Sequence, residues 1–217
     1  IRDKPVPNAV FTQTIVEAKL EATNKSDKKE RVVFTGGSNV LFGVDSEQFA
    51  QETGRPALNF GCAAGLGPEL ILHLLKPGLK SGDVVVLCWE FGHYTFTRSG
   101  EVDLTYLNLL FGPQNDFCRT LPFRDRLTLA LTLPTSHLRE AIGTAFNPYV
   151  DAEVYRCPWI IDSSGNIRSN QVQIITEAEL LRTPLASVRS KIVISQDARN
   201  ILSDFVRHCR DRDVSVL

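Results

Sequence analysis

The chain has 217 residues, of which 43% are hydrophobic and 23% are charged, and its formal net charge is −1 at pH 7. This length fits one domain, or one domain with a sizeable insertion. The near-neutral charge argues against nucleic acid as the main partner, because phosphate binding needs a basic surface. No apolar run reaches the roughly 18 residues that a membrane-spanning helix needs. The five cysteines show neither a C-x-x-C pair nor metal-ligand spacing with histidine, so we expect no metal site.

The first half of the chain predicts alternating helices and strands. In chain order, the pattern predicts a helix at 9–22, a polar connector to residue 31, a strand at 32–35, a capped helix at 45–52, a strand at 57–60, a helix from Pro68, and a buried strand at 84–89. Short links between strands and helices predict right-handed βαβ units and a parallel sheet with helices on both faces.

The second half breaks this rhythm. In chain order, we predict helices at 106–111, 124–133 and 134–145, a β-hairpin at 158–168 on a Ser-Gly turn, a fourth strand at 192–194, a helix at 198–210, and a fifth strand at 214–217. We therefore expect a three-layer α/β/α, flavodoxin-like, doubly wound parallel sheet of about five strands. Residues 95–188 form a mostly helical insertion after the third strand, which serves as a lid, a partner surface or padding. We expect the single domain, 1–217, to continue past its last strand.

The first strand ends in Gly36-Gly37-Ser38-Asn39, where the carboxyl edge of a parallel sheet binds ligands. Three interpretations compete for this turn. Ser38 can be a simple helix cap. The glycines can form a phosphate cradle, although neither the G-x-G-x-x-G nor the P-loop motif is present. Ser38 can also be a nucleophile whose attack a nearby base assists.

Three blocks of small residues share the position of a turn beside a predicted strand: Gly36-Gly37-Ser38-Asn39 with Gly43, Asn59-Phe60-Gly61 with Gly65, and Gly82-Asp83. Together they resemble the SGNH/GDSL hydrolase superfamily. More narrowly, they resemble its poorly characterised membrane-associated branch, which is related to proteins that handle polysaccharide O-acetyl groups. The likeness covers residues 31–94 well and the last two strands only by topology.

The resemblance implies roles for four residues. Ser38 would attack an ester carbonyl, and backbone N–H groups of Ser38 and Gly61 would hold the oxyanion. Asn39 would cap or orient the first turn, and Asn59 would support the second. No metal or cofactor is needed for this chemistry.

The chain departs from the superfamily pattern at three places. The usual Asp before the serine is Gly37, and the third block G-x-N-D is replaced by Glu90-Phe91-Gly92-His93. The late D-x-x-H that carries the base is absent from these residues and is expected beyond Leu217. The alternatives are that His93 supplies the base together with Glu90, or that the triad is incomplete in a binding relative.

The sequence thus predicts a serine esterase or acyl hydrolase/transferase that acts on an O-acylated carbohydrate or a similar small ester. The rival from another class is a catalytically silent SGNH-like binding or assembly protein, with the insertion as its interface. A nucleotide-binding flavodoxin-like domain is a third interpretation. The resemblance also implies an extracytoplasmic or membrane-associated location, compatible with a tether outside the given residues. The oligomeric state is left open.

Overall fold

The computed structural model describes residues 7–98, 103–111, 114–133, 135, 160–168 and 193–217. Its centre is a parallel sheet of four strands in the order β2-β1-β3-β6. The strands are β1 (Val32–Gly36), β2 (Ala57–Gly61), β3 (Val84–Cys88) and β6 (Ser215–Val216). Helices flank the sheet in a three-layer α/β/α arrangement. The predicted fold class is confirmed, although the sheet of the described residues has four strands where about five were expected.

The helices are α1 (Pro7–Lys25), α2 (Ser38–Gly43), α3 (Ser46–Thr53), α4 (Gly67–Leu75), α5 (Phe91–Tyr94), α6 (Leu104–Leu110), α7 (Asn115–Thr120), α8 (Phe123–Leu131) and α9 (Gln196–Arg210). Two 3-10 turns, Ala64–Leu66 and Lys76–Gly78, flank α4. The antiparallel hairpin of β4 (Ile160–Ile161) and β5 (Ile167–Arg168) confirms the predicted Ser-Gly turn. None of the described helices has the length and apolar character needed to cross a bilayer.

The register of the sheet brings three strand ends to the same level. Gly36 is paired with Gly61 of β2 on one side and with Cys88 of β3 on the other. Because parallel strands run in one direction, the turns that follow them lie along one edge. The residues of those turns are therefore neighbours in space, although they are 25 to 52 positions apart in the chain.

A buried ion pair fixes the opposite edge of the sheet. Arg31 precedes β1, Asp83 precedes β3, and both side chains are fully buried. Asp83 accepts from the Arg31 backbone N–H at 3.0 Å, from Nε at 3.1 Å and from Nη2 at 2.6 Å. Arg31 also donates to the carbonyls of Thr23 and Gly78, at 3.0 and 2.7 Å. These bonds hold α1 and the start of two strands together, so Asp83 has a structural role.

Two predicted features differ from the structure. The fourth strand was predicted at 192–194. This prediction is wrong for Val193 and Ile194, which lie in no strand, and Val193 is 75% exposed. These residues lead instead into α9, where the Ser195 side chain caps the helix by accepting from the Ala198 N–H at 3.0 Å. The sequence also missed α2, since a helix was expected only from about residue 45. The helix predicted at 134–145 and much of the 95–188 insertion lie outside the described residues.

Candidate active site

Ser38 and Glu90 meet at the carboxyl edge of the sheet. Ser38 opens α2 immediately after β1, and Glu90 follows β3 by two positions. The Ser38 Oγ–H donates to Glu90 Oε1 at 2.9 Å, and the Asn39 N–H donates to the same oxygen at 3.0 Å. The Asn39 carboxamide donates to the Cys88 carbonyl at 2.9 Å, which ties the two turns together. Ser38 is half-buried, so a ligand can approach the hydroxyl while the carboxylate remains in contact with it.

The glycine before the serine makes room for this carboxylate. A Cβ placed on Gly37 would lie 2.5 Å from Glu90 Oε1, well inside van der Waals contact. The φ angle of Gly37 is −87°, which lies outside the left-handed region, so this contact requires a glycine for space. A Cβ before the serine would displace the Glu90 carboxylate, which is the end of a flexible side chain, from its contact with Ser38.

The His93 imidazole contacts the site but not the serine. Its Nδ1 accepts from the Glu90 N–H at 3.3 Å, and its Nε2 lies 3.1 Å from the Ala64 carbonyl oxygen. These bonds assign the neutral tautomer with the proton on Nε2. Burial lowers the pKa of His93, against smaller raising effects of the Ala64 carbonyl and the Glu90 carboxylate. Both ring nitrogens are thus engaged, and among the described residues Glu90, not His93, is the side chain bonded to the Ser38 hydroxyl.

The Asn59 side chain organises the second turn. Its Nδ2 donates to the carbonyls of Val40 and Val44, at 2.9 and 2.8 Å. Its Oδ1 accepts from the Gly61 N–H at 2.8 Å and from Lys19 Nζ at 2.9 Å. These four hydrogen bonds hold the Asn59 side chain against the second turn. The Gly61 N–H, for which the resemblance implied a role as oxyanion donor, donates to the Asn59 carboxamide in the structure.

The N–H of Ser38 is the remaining backbone donor of the predicted pair. Ser38 is the first residue of α2, and a first helical N–H has no acceptor within its own helix. This donor lies beside the hydroxyl of the same residue, as the resemblance implied. The site thus combines the Ser38 hydroxyl, the Glu90 carboxylate and the backbone N–H groups of Ser38 and Asn39.

A cleft of about 160 Å³ adjoins Glu90 and is lined by glycines 65, 67 and 92, by the Phe96 and Tyr106 rings, and by Asp103. This volume suits a small substituent of a substrate. A larger cavity of about 580 Å³ lies at the opposite edge, between α1, the polar connector and the hairpin. The described residues contain no cluster of three or more metal-ligating side chains.

Sequence reasoning missed Lys19 and Asp103. Lys19 lies within the helix predicted at 9–22, and its side chain is fully buried, which is unusual for a lysine. A signal was present, because Lys19 follows Ile15 by four positions and Val16 by three, and both of those side chains are buried. Asp103 lies in the predicted insertion, and no local pattern indicated that it would reach the cleft.

Comparison of the chain with protein-family models, with curated proteins and with solved structures finds no match.

Proposed function

We propose that the chain is a serine esterase or acyl hydrolase/transferase of SGNH type, acting on an O-acylated carbohydrate or a similar small ester. The contact between Ser38 Oγ and Glu90 Oε1, 2.9 Å long at the carboxyl edge of the sheet, supports this proposal most directly. A nucleophile within hydrogen-bond reach of a proton acceptor is the arrangement that activates a serine. The half-buried position of Ser38 leaves access for a substrate.

The proposed reaction uses the chain's own residues. Ser38 Oγ attacks the ester carbonyl carbon while its proton passes to Glu90, and the Ser38 N–H stabilises the oxyanion. The tetrahedral intermediate then collapses, and the leaving alcohol takes the proton from Glu90. Water attacks the acyl-serine in hydrolysis, or an acceptor hydroxyl attacks it in transfer, and Glu90 accepts the proton of the attacking group. Glu90 then returns this proton to Ser38 Oγ as the acyl–serine bond breaks and the acyl product leaves. A donor of this kind typically contributes about 3 kcal/mol to transition-state stabilisation.

A fluorophosphonate probe tests the nucleophile. We expect the probe to label the purified protein once per chain, at Ser38, and we expect Ser38→Ala to abolish both labelling and hydrolysis of acetyl esters. Ser81→Ala is the matched control, because it removes an exposed serine hydroxyl that lies before β3, at the other edge of the sheet, and binds Asp213. Absence of labelling in the wild-type protein would contradict the proposal.

One observation favours a second candidate, the silent binding or assembly protein. Among the described residues, both nitrogens of His93 are engaged and the Gly61 N–H is occupied by Asn59. The site then lacks an imidazole base and a second oxyanion donor in this part of the chain. This function predicts no probe labelling, together with ligand binding or complex assembly that survives Ser38→Ala.

A further inference from the structure

A fully buried lysine lies behind the serine site. Lys19 of α1 has no exposed surface. Its ammonium donates to the Asn59 carbonyl at 2.9 Å, to Asn59 Oδ1 at 2.9 Å and to the Gly165 carbonyl. Three acceptors match the three N–H bonds of an ammonium, so the cation is satisfied although it is out of contact with water.

Two of these acceptors belong to the residue that supports the second turn. The Asn59 carboxamide also binds the Val40 and Val44 carbonyls, which belong to α2 and the residue after it. Because α2 begins with Ser38, the Asn59 carboxamide that binds α2 also helps to fix the position of the nucleophile. Lys19 fixes the carboxamide from behind by binding the same oxygen that accepts from the Gly61 N–H.

The third acceptor belongs to the turn between β4 and β5. Gly165 has a φ angle of +79°, and a Cβ there would lie 2.3 Å from the Asn59 carbonyl oxygen. The Asn59 N–H in turn donates to the Ser164 carbonyl at 2.9 Å. The hairpin therefore rests on Asn59, and only a glycine allows both this backbone conformation and the close approach.

The environment of Lys19 makes its charge costly. Burial lowers the pKa of Lys19 to about 8, against smaller raising effects of Cys62, next to the second turn, and of Asp162 in the hairpin. An apolar side chain of similar length would avoid the desolvation of an ammonium. The same replacement would, however, take the ammonium donor away from the oxygens of Asn59 and Gly165, so the three directed bonds are what the lysine adds at this place.

We propose that Lys19 is a positioning residue of the serine site, which holds the Asn59 carboxamide in place and ties the hairpin of β4 and β5 to it. Its effect on catalysis rests on the function proposed above. Its effect on the geometry of the second turn does not depend on that function. The two effects are measured separately in the following experiment.

Lys19→Met removes the ammonium and keeps the length of the side chain. Lys25→Met is the matched control on the same helix, since the Lys25 side chain is 75% exposed and pairs with Glu21 at the surface. We expect amide exchange at Gly61 to be about tenfold faster in Lys19→Met, the ratio that corresponds to a weakened hydrogen bond. We also expect probe labelling of Ser38 to be slower by a similar factor, and we expect neither change in Lys25→Met.

The outcomes separate the two proposals. If the amide exchange rate at Gly61 is the same in Lys19→Met and Lys25→Met, the role of Lys19 is refuted, whatever the labelling shows. A wild-type protein that is not labelled contradicts the esterase, and the exchange rates still decide the role of Lys19. Faster exchange with an unchanged labelling rate refutes the link from Asn59 to the nucleophile.

A measurement on the wild-type protein decides the matter if Lys19→Met does not fold. The amide resonances of Gly61 and Gly165 are followed between pH 6 and 10. We expect both to shift with one midpoint near 8, the pKa of Lys19. The buried Cys62 thiol, whose pKa is raised to about 11, titrates above this range. Resonances that do not shift together in this range refute the proposal.

Discussion

The buried ammonium of Lys19 makes the stability of the protein depend on pH in a predictable direction. Burial lowers its pKa from 10.5 to about 8 in the folded chain. Below pH 8 both folded and unfolded chains carry the proton, and Lys19 adds no pH dependence. Between pH 8 and 10.5 the unfolded chain binds the proton more tightly, so the free energy of unfolding rises with pH.

The size of this effect follows from the same pKa values. A change of one pKa unit corresponds to about 1.4 kcal/mol, so the full contribution of Lys19 across its window is roughly 3 kcal/mol. Between pH 7 and 9, only part of the window is crossed, and we expect about 1 kcal/mol. Cys62 acts in the opposite direction. Burial raises the pKa of its thiol to about 11, so the contribution of Cys62 to the free energy of unfolding falls as pH rises past 9.

A comparison with Lys19→Met isolates the lysine, since the thiol is present in both proteins. Urea unfolding is measured at several pH values between 7 and 9 for the wild-type protein and the variant. We expect the difference in unfolding free energy, wild type minus variant, to increase by about 1 kcal/mol over this range. A difference that stays constant or decreases would refute the reasoning, because it would mean that Lys19 keeps an ordinary pKa in the folded chain.

The remaining predictions concern the serine turn and the buried ion pair. Glu90→Gln keeps the shape of the side chain and removes the base, so we expect the rate of Ser38 labelling to fall by about 10²- to 10⁴-fold, and an unchanged rate would exclude Glu90 as the base. Gly37→Ala places a Cβ 2.5 Å from the Glu90 carboxylate. We therefore expect a similar loss of Ser38 labelling, and we expect urea titration to show an unfolding free energy that is lower by about 1–3 kcal/mol. A labelling rate equal to that of the wild type would contradict this explanation of the glycine. Asp83→Ala leaves the fully buried Arg31 without its carboxylate, so we expect urea unfolding to show a loss of about 3–5 kcal/mol, and a loss below about 1 kcal/mol would show that the pair is not needed.

Local pattern was sufficient for the regular elements of the sheet. The apolar runs that were predicted as strands became β1, β2 and β3, and Asp45 caps α3 by accepting from the Glu47 and Gln48 N–H groups, each at 3.0 Å. It was insufficient for α2, because Val40, Leu41 and Phe42 are consecutive apolar residues without helical periodicity. This short helix packs tightly on β2, where a Cβ on Gly61 would lie 2.2 Å from the Leu41 nitrogen.

The sequence alone determined that a serine follows two glycines at the end of a buried parallel strand, since strand propensity and turn chemistry depend on neighbouring residues. Only the tertiary structure decided what this serine contacts. Glu90 lies 52 positions from Ser38, and Lys19 lies 40 positions from Asn59. These contacts depend on the register that sets Gly36 opposite Cys88 and on the packing of α1 against β2. Register and packing are properties of the whole chain, and no local pattern encodes them.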